Sequence, residues 1–458
     1  MAKKKKADRR LTTPMKGKLI LVFGGIIFLF LILVVKLCYV TATKGKEYET
    51  AVLSQQKHDS TILPFERGKI YDRNGNILAT NEKIYTLILE PQNILLQDKK
   101  YEEATINALH EYFGFSKNKL KKTIEDNPYS YYEVYKKNMT YDEVEKFQKF
   151  LDLADASAKG VSKAKKAKIE SAKMVKGVSF EEDYKRVYPY NSLACRVLGY
   201  TSSGNVGNWG IEQYYNSQLN GVNGRAYYYF NEELDQEQSV KEPKNGNSVV
   251  STIDMQIQKI IEQKLKDFDD KIGSKVTNIL VMNPQNGEIY AMVNVPEYDL
   301  NDPFSLSAKK RKANSKKQQE YLNKKWRNSC LNDTYEPGSV FKIVTATAGL
   351  ESSKVSVNDH FNCPGFRIVE DRKIRCHKVG GHGSETFKEG VMNSCNPVFM
   401  DVGARVGVDG MYQTFRQLGL FEKTGIDLPG EASSIMHQKK NVGAVELATM
   451  SFGQSIQI

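Results

Sequence analysis

The sequence of 458 residues carries 26% charged and 40% hydrophobic side chains, a globular balance that excludes wholesale disorder. Its 33 glycines and 13 prolines are too few for a collagen-like protein, and its length allows two or three domains. The net charge of +12 is local, because residues 1–18, 158–176 and 309–325 carry +7, +6 and +7 and the rest carries −8. This distribution, without any recognition motif, argues against nucleic acid as a partner.

A run of apolar and glycine residues extends from Leu19 to Val35, and after Lys36 it continues to Val40. About 20 such residues cross the hydrocarbon core of a bilayer. Because eight Lys and Arg residues precede the run, the positive-inside rule assigns 1–18 to the cytoplasm. The sequence thus predicts a cytoplasmic tail at 1–18, a single cell-membrane anchor at 19–40 and an extracytoplasmic remainder. The main alternative is a cleaved signal peptide, whose apolar region would be shorter, about 7–15 residues.

Residues 41–245 show the mixed pattern of an α+β domain. Asn74-Gly75 between apolar runs predicts a β-hairpin, and residues 101–152 contain amphipathic helical patterns. The Lys-rich segment 158–176 is either a solvated helix or a flexible linker. The turn-rich residues 240–248 predict a domain boundary.

Residues 246–458 alternate strand and helix patterns, which predicts an α/β domain. VVSTID (249–254) is a predicted strand, and a helix follows from Met255. Two strands flank the turn Asn286-Gly287. The basic segment 305–325 is predicted to be a solvated loop inserted into this domain.

Two short motifs carry candidate chemistry in this second domain. Ser339 and Lys342 lie three residues apart at the start of a helical pattern, so both face one side of its first turn. A serine hydroxyl needs a base to become nucleophilic, and a lysine with a lowered pKa can serve. Ser394 and Asn396, at a predicted loop between helices, could relay a proton and bind a substrate amide. Each motif alone is weak, since a serine helix cap with a surface lysine gives the same pattern.

Several segments in order make the chain resemble the class B penicillin-binding proteins, the monofunctional peptidoglycan D,D-transpeptidases. The resemblance is carried by RGKIYDRNG (67–75), RVYPYNSLACRVLGY (186–200), GIEQYYNSQLNGVNG (210–224), STID (251–254), MNPQNGEIYAMVNVPEYDLNDP (282–303), YEPGSVFK (335–342), His382-Gly383, SCN (394–396) and FGQ (452–454). S-x-x-K followed downstream by S-x-N is the motif pair of penicillin-recognising serine enzymes. The resemblance implies a transmembrane helix, an α+β pedestal at 41–245 and a serine β-lactamase-like transpeptidase domain at 246–458.

The resemblance also implies roles and partners. Ser339 would be the acylated nucleophile, Lys342 its general base, and Ser394 and Asn396 part of the proton relay and substrate cleft. The substrates would be D-Ala–D-Ala stem peptides of a lipid-linked peptidoglycan precursor, and β-lactams would acylate the same serine. The oxyanion hole would use the Ser339 N–H and a second N–H from a later strand. The pedestal and anchor would contact a membrane glycosyltransferase, and catalysis would require no cofactor.

The family's third motif, K-[ST]-G on a strand, is expected after the FGQ segment. Lys423-Thr424-Gly425 spells this motif, but Pro429-Gly430 nearby argues for a loop. We therefore expect a transpeptidase domain that is incomplete at its C-terminus, and the activity of the fragment alone is left open.

Four metal-ligating side chains cluster in sequence between the two catalytic motifs: Cys363, Cys376, His377 and His382. Their spacing permits a structural zinc site. It also permits a Cys363–Cys376 disulfide across a hairpin, or free thiols.

Two other functions fit parts of the pattern. A non-catalytic membrane-anchored scaffold of a cell-wall complex would use the pedestal and anchor alone. A β-lactam sensor or hydrolase of the same superfamily would share the serine motifs, but a hydrolase would not need a pedestal of about 200 residues.

Overall fold

The computed structural model describes residues 13–55, 60–156, 162–230, 236–274 and 276–458. The chain forms two compact units. The first contains the chain up to Phe65 and Val222–Lys244, and the second contains Glu66–Gly221 and Asn245–Ile458. The second unit thus takes residues from both sides of the predicted domain boundary near residue 245, so this division does not separate the two predicted domains.

The described helices and strands alternate irregularly along the chain. The helices are α1 (Thr13–Gln55), α2 (Pro91–Ile94), α3 (Leu96–Lys99), α4 (Glu102–Phe113), α5 (Lys117–Asp126), α6 (Tyr141–Leu151), α7 (Lys163–Lys173), α8 (Cys195–Leu198), α9 (Gly210–Tyr214), α10 (Asn216–Leu219), α11 (Met255–Ile272), α12 (Ala308–Arg311), α13 (Ser315–Trp326), α14 (Ser329–Asn332), α15 (Lys342–Glu351), α16 (Phe387–Met392), α17 (Asn396–Gln417) and α18 (Ala444–Met450). The strands are β1 (Ser60–Leu63), β2 (Ile70–Tyr71), β3 (Ile77–Leu89), β4 (Glu133–Thr140), β5 (Val178–Val187), β6 (Tyr200–Ser202), β7 (Val206–Asn208), β8 (Gly224–Phe230), β9 (Gln236–Lys241), β10 (Val249–Val250), β11 (Thr277–Met282), β12 (Ile289–Val295), β13 (His360–Cys363), β14 (Phe366–Val369), β15 (Arg372–Arg375) and β16 (Gly383–Thr386).

The first unit contains the apolar helix α1 and an antiparallel sheet of β1, β8 and β9. Within α1, the segment Leu21–Thr41 is long and apolar enough to cross a membrane. Its mean hydropathy is 2.8, and none of its apolar stretch is buried in the protein. An apolar helix that finds no protein partner satisfies its own backbone hydrogen bonds, as lipid requires. This segment coincides with the predicted anchor at 19–40, and residues 1–12 lie outside the described chain.

The first half of the second unit is built on the long strand β3. β3 pairs antiparallel with β2, β4 and β5, and β10 extends this sheet by pairing parallel with β2. Buried apolar residues of β3, α4, α5, α6 and α7 form one hydrophobic core. The predicted hairpin turn is present, because the Asp72 carboxylate accepts hydrogen bonds from the backbone N–H groups of Asn74 and Asn76, and Gly75 adopts φ +85°. This half has the α+β architecture that the sequence predicted for the pedestal.

The Lys-rich segment forms the solvated helix of the two alternatives over Lys163–Lys173, and residues 157–161 lie outside the described chain. Ile169 and Ala172 are buried on one side of α7, while its lysines are exposed. The helix is therefore held by a narrow apolar stripe and presents its charge to solvent.

A buried ionic network joins distant parts of the second unit. The Glu212 carboxylate accepts hydrogen bonds from Arg67 Nε (2.8 Å), Arg186 Nε (2.7 Å) and the Tyr188 hydroxyl (3.2 Å). Glu212 is fully buried and the two arginine side chains are 1% and 2% exposed. Because a buried charge is tolerated only when paired and hydrogen-bonded, these contacts fix three chain segments relative to each other.

Two predictions for the second half of this unit were wrong in extent. The predicted strand 249–254 is limited to Val249–Val250, since the Asp254 carboxylate caps α11 by accepting from the N–H groups of Gln256 and Ile257. The basic segment 305–325 is not a solvated loop but contains α12 and α13, because Leu322 and Trp326 of α13 are buried. The predicted hairpin of β11 and β12 is present.

Candidate active site

Ser339 lies in a short 3₁₀ segment, Gly338–Phe341, which leads directly into α15. Phe341 is 2% exposed and packs in the core formed by α15 and α17, whereas Ser339 is exposed. The buried phenylalanine fixes the turn, and the short turn presents the serine hydroxyl to solvent. A nucleophile needs both features, a fixed position and open access for the substrate.

Lys342, one turn further, is 4% exposed and lies at the centre of the predicted catalytic residues. Its Nζ lies 3.3 Å from Ser339 Oγ, 3.0 Å from Ser394 Oγ and 2.7 Å from Asn396 Oδ1. It also donates to the Ser394 carbonyl oxygen at 2.7 Å. The structure therefore brings the two motifs, more than 50 residues apart in sequence, around one amine.

Burial is the main influence on the charge of this amine. It lowers the pKa of Lys342 to about 8, while the neighbouring Cys376 and Cys395 raise it slightly. The Phe399 ring, 5.4 Å from Nζ, is part of the wall that keeps water away. A lysine with such a pKa is partly neutral near neutral pH and can accept a proton from a hydroxyl.

Ser394 and Asn396 lie at the tight connection between α16 and α17, as the sequence predicted. Ser394 adopts φ +48°, which turns the chain so that Asn396 begins α17 beside Lys342. The Asn396 side-chain Nδ2 donates to the Arg375 carbonyl oxygen at 3.1 Å, so its Oδ1 is oriented toward Lys342. Both side chains are half-buried, at the border between the core and solvent.

The FGQ segment supports the nucleophile turn, a role that the sequence did not specify. The N–H of Gly338 donates to the Gly453 carbonyl oxygen at 2.8 Å, and the N–H of Ser455 donates to the Glu336 carboxylate at 2.9 Å. Gly453 has φ +79°, and a Cβ there would lie 2.1 Å from the Gly338 carbonyl oxygen. Only glycine fits this close approach, and the only sequence signal for it is the glycine that follows Phe452 in the FGQ segment.

Lys423-Thr424-Gly425 lies in a loop, as predicted from Pro429-Gly430. The Thr424 backbone N–H and hydroxyl both donate to the Glu431 carboxylate, at 2.7 Å and 2.6 Å. These hydrogen bonds hold the loop in place. The loop contains no strand that could line the substrate cleft in the way expected of the family's third motif.

A second cluster of side chains lies next to the catalytic residues. The ligand atoms of Cys363, Cys376, His382 and Cys395 all lie within 4.8 Å of one another, and the three cysteines are buried. The predicted ligand His377 is exposed to solvent and lies outside this set, although its Nδ1 lies 3.8 Å from Cys376 Sγ. Sequence reasoning missed Cys395, because it is the middle residue of the S-x-N motif.

All six cysteines are free thiols, so no Cys363–Cys376 disulfide crosses the hairpin of β14 and β15. Burial raises the pKa of Cys395, with further contributions from Glu385 and Cys363. Three thiols and one imidazole that converge in a dry site form a donor set that suits Zn²⁺ with tetrahedral coordination. The described residues therefore fit a metal.

Two family models match the chain. The penicillin-binding protein dimerisation domain matches residues 62–251, and the penicillin-binding protein transpeptidase domain matches residues 277–458. Together they cover well over half of the chain, and the transpeptidase match contains both the S-x-x-K and the S-x-N motif.

Curated and solved relatives agree with these matches. Stage V sporulation protein D of Bacillus subtilis is 32% identical over 96% of this chain and 62% of its own length. The peptidoglycan D,D-transpeptidase MrdA of Acinetobacter baumannii is 25% identical over 92% of this chain and 61% of its own. The solved complex of penicillin-binding protein PBP2 with MreC from Helicobacter pylori is similar with a TM-score of 0.64 at 26% identity, covering 88% of this chain and 74% of that one.

The chain thus spans about three fifths of the length of these curated relatives. It carries a dimerisation domain followed by a transpeptidase domain, with the S-x-x-K and S-x-N motifs meeting at one buried lysine. The chain belongs to the class B penicillin-binding proteins.

Proposed function

We propose that this protein is a peptidoglycan D,D-transpeptidase, which cross-links stem peptides by serine acyl transfer. The observation that carries the proposal is the Lys342 amine, 3.3 Å from Ser339 Oγ and 3.0 Å from Ser394 Oγ in a nearly fully buried position. The family membership of the chain and the names of its relatives support the same reaction.

In the first step Ser339 Oγ attacks the carbonyl carbon of the penultimate D-Ala of a stem peptide. The neutral Lys342 amine accepts the hydroxyl proton, and the Ser339 N–H stabilises the oxyanion that forms. The C–N bond then breaks, and the terminal D-Ala leaves as an amine after receiving a proton through the Ser394 hydroxyl. The Asn396 amide is placed to hold the substrate backbone.

In the second step an amine of a neighbouring stem peptide attacks the ester carbon. The proton of this amine passes through Ser394 and Lys342, and Ser339 leaves with its hydroxyl restored. A β-lactam acylates the same oxygen atom, but its leaving nitrogen stays attached through the opened ring and blocks the second step.

Labelling with a fluorescent penicillin, in membranes that contain the protein, tests this assignment. Ser339→Ala should abolish labelling, whereas Ser384→Ala, at an exposed serine of β16, should leave it unchanged. Labelling that survives Ser339→Ala would refute the nucleophile assignment. Failure of the wild type to label would instead favour the non-catalytic scaffold.

The same proposal includes a topology and partners. The basic flank of α1 supports a cytoplasmic N-terminus with the rest of the chain outside, where the lipid-linked precursor is used. A membrane-impermeant maleimide should then modify Thr43→Cys but not Ala2→Cys in intact cells, and the reverse pattern would overturn the topology.

We also propose a membrane glycosyltransferase as partner of the pedestal and anchor. Its co-purification with the wild type, and its loss when α1 is exchanged for an unrelated anchor, would support this pairing.

We further propose that the cluster of Cys363, Cys376, Cys395 and His382 holds a structural zinc ion. Zn–S bonds of about 2.3 Å in a tetrahedral site require sulfur separations slightly under 4 Å. The four ligand atoms all lie within 4.8 Å of one another, and Cys376 Sγ lies 3.8 Å from His382 Nδ1. Zinc would stabilise thiolates here, while Ser339 supplies the nucleophile.

Metal analysis of protein purified without added zinc tests this site. About one zinc per chain is expected in the wild type and in Cys330→Ser, whose thiol lies outside the cluster. Cys395→Ser should lower the zinc content and the thermal stability. Metal-free wild-type protein with readily titratable thiols would contradict the zinc site.

A further inference from the structure

The two helices before the nucleophile turn, α12 and α13, carry a concentrated positive charge. We define the basic platform as their exposed cationic side chains and those of the connecting residue: Lys309, Lys310, Arg311, Lys312, Lys316, Lys317 and Lys324. Among the described residues, no carboxylate lies within 4.0 Å of any of these seven groups, although ion pairs occur on many other surfaces of the chain. Glu320 is the only acid in the segment. The platform is therefore a strongly positive surface, with seven cationic groups against one carboxylate.

The part of the platform on α13 is anchored in the fold. Trp326, at the end of α13, is 4% exposed and donates from Nε1 to the Pro303 carbonyl oxygen at 2.9 Å. Its ring packs against Tyr200 and Phe304, with ring centroids 5.1 Å and 5.4 Å away. Asn314 caps the start of α13 by accepting from the Lys317 N–H. The α13 lysines are therefore presented on a helix of fixed position, and no residue of the preceding α12 is buried.

The spacing of the charges indicates an extended ligand. Lys316 and Lys324 are eight residues apart on α13, which corresponds to about 12 Å along the helix axis. One phosphate or carboxylate cannot contact both, whereas successive groups of a polyanion can. All but one of the seven are lysines, whose compact and hydrated charges suit diffuse attraction to many phosphates more than bidentate recognition of one.

The residues between the charges favour a polymer over a lipid surface. A helix that lies on a bilayer needs an exposed apolar face. The apolar residues Leu322 and Trp326 of α13 are buried in the protein, and its exposed positions are polar or charged. The helix thus offers charge without any side chain that could enter the membrane.

We propose that the basic platform is a docking surface for a linear polymer of phosphate groups, on the same domain as Ser339. The polymer supplies the counter-charge that Glu320 alone does not balance and releases its own bound cations, so binding weakens as salt rises. This proposal is independent of acyl transfer, and a failure of either leaves the other standing.

Fluorescence anisotropy with end-labelled long-chain inorganic polyphosphate, and the full chain in a neutral detergent, tests the platform. The variant Lys309→Gln/Lys310→Gln/Lys316→Gln/Lys317→Gln removes four of its charges. The matched control Lys163→Gln/Lys165→Gln/Lys166→Gln/Lys168→Gln removes four exposed charges from α7. The basic N-terminal tail contributes equally to all three proteins.

The platform variant should bind at least about tenfold more weakly at 0.1 M salt, with a salt slope reduced by roughly 3, about 0.7 per lost charge. The α7 control should stay within about twofold of the wild type. Equal losses in the two variants, or no loss in the platform variant, would overturn the proposal. So would tighter platform-dependent binding to vesicles of anionic phospholipid than to polyphosphate, which would identify a membrane surface instead.

Discussion

Glu212 is the residue whose replacement should most disturb the dimerisation half of the second unit. In Glu212→Gln the shape is kept, but two arginines that are 1% and 2% exposed lose their only shared carboxylate. The new NH₂ group also points its hydrogens at a guanidinium or at the Tyr188 hydroxyl. Removing one partner of a buried ion pair costs about 3–5 kcal/mol, and we expect the upper part of this range because two pairs share one anion.

The matched control is Glu182→Gln. Glu182 pairs with Lys83 at 2.8 Å, but the two side chains are 45% and 42% exposed. An exposed pair of this kind contributes about 0–1 kcal/mol. The two variants make the same chemical change and differ in burial and in the number of partners.

Urea unfolding followed by tryptophan fluorescence is the appropriate assay. The protein has two tryptophans, Trp209 and Trp326, whose ring centroids lie 6.5 Å apart. Trp326 lies in the hydrophobic core that contains Ile211, the neighbour of Glu212, and Trp209 packs against this core. With a denaturant slope of about 2–3 kcal/mol per molar, Glu212→Gln should lower the midpoint by more than about 1 M. Glu182→Gln should shift it by less than about 0.5 M. If both variants unfold at the same urea concentration, the network does not hold the fold in the way we infer.

Three further predictions follow from single contacts. The rate of acylation by penicillin should rise about tenfold from pH 7 to pH 9, because Lys342 loses its proton near pH 8, and a flat rate profile would exclude Lys342 as the base. Because the pKa of Lys342 is lower in the folded protein than in the unfolded chain, the free energy of unfolding should also rise with pH between about 8 and 10.5. Gly453→Ala should destabilise the transpeptidase domain by about 2 kcal/mol more than Gly419→Ala, and it should slow acylation. Both glycines have positive φ, but only at Gly453 would an added Cβ lie within 4 Å of backbone atoms. Equal effects of the two variants in thermal unfolding would argue against this close contact. Asp254→Ala should lower stability by about 1 kcal/mol through loss of the α11 cap, whereas Ser162→Ala, at a 3.4 Å cap contact of α7, should have a smaller effect in the same measurement.

The sequence alone determined those features of this protein that depend on neighbours along the chain. The apolar run predicted a helix long and apolar enough to cross a membrane, Asn74-Gly75 predicted the hairpin, and Ser339 with Lys342 predicted a shared helical face. The ordered motifs gave the family, because their joint occurrence does not depend on knowing how they pack.

Only the tertiary structure decided features that depend on residues far apart in sequence. Glu212 meets Arg67 across 145 residues, and Cys395 joins Cys363 in a cluster that the spacing of the motif conceals. The basic segment became a helix because Trp326 found a buried site, although its composition alone favours a solvated loop. The lowered pKa of Lys342 is likewise a result of burial, and burial is a property of the packed chain and not of any local stretch of it.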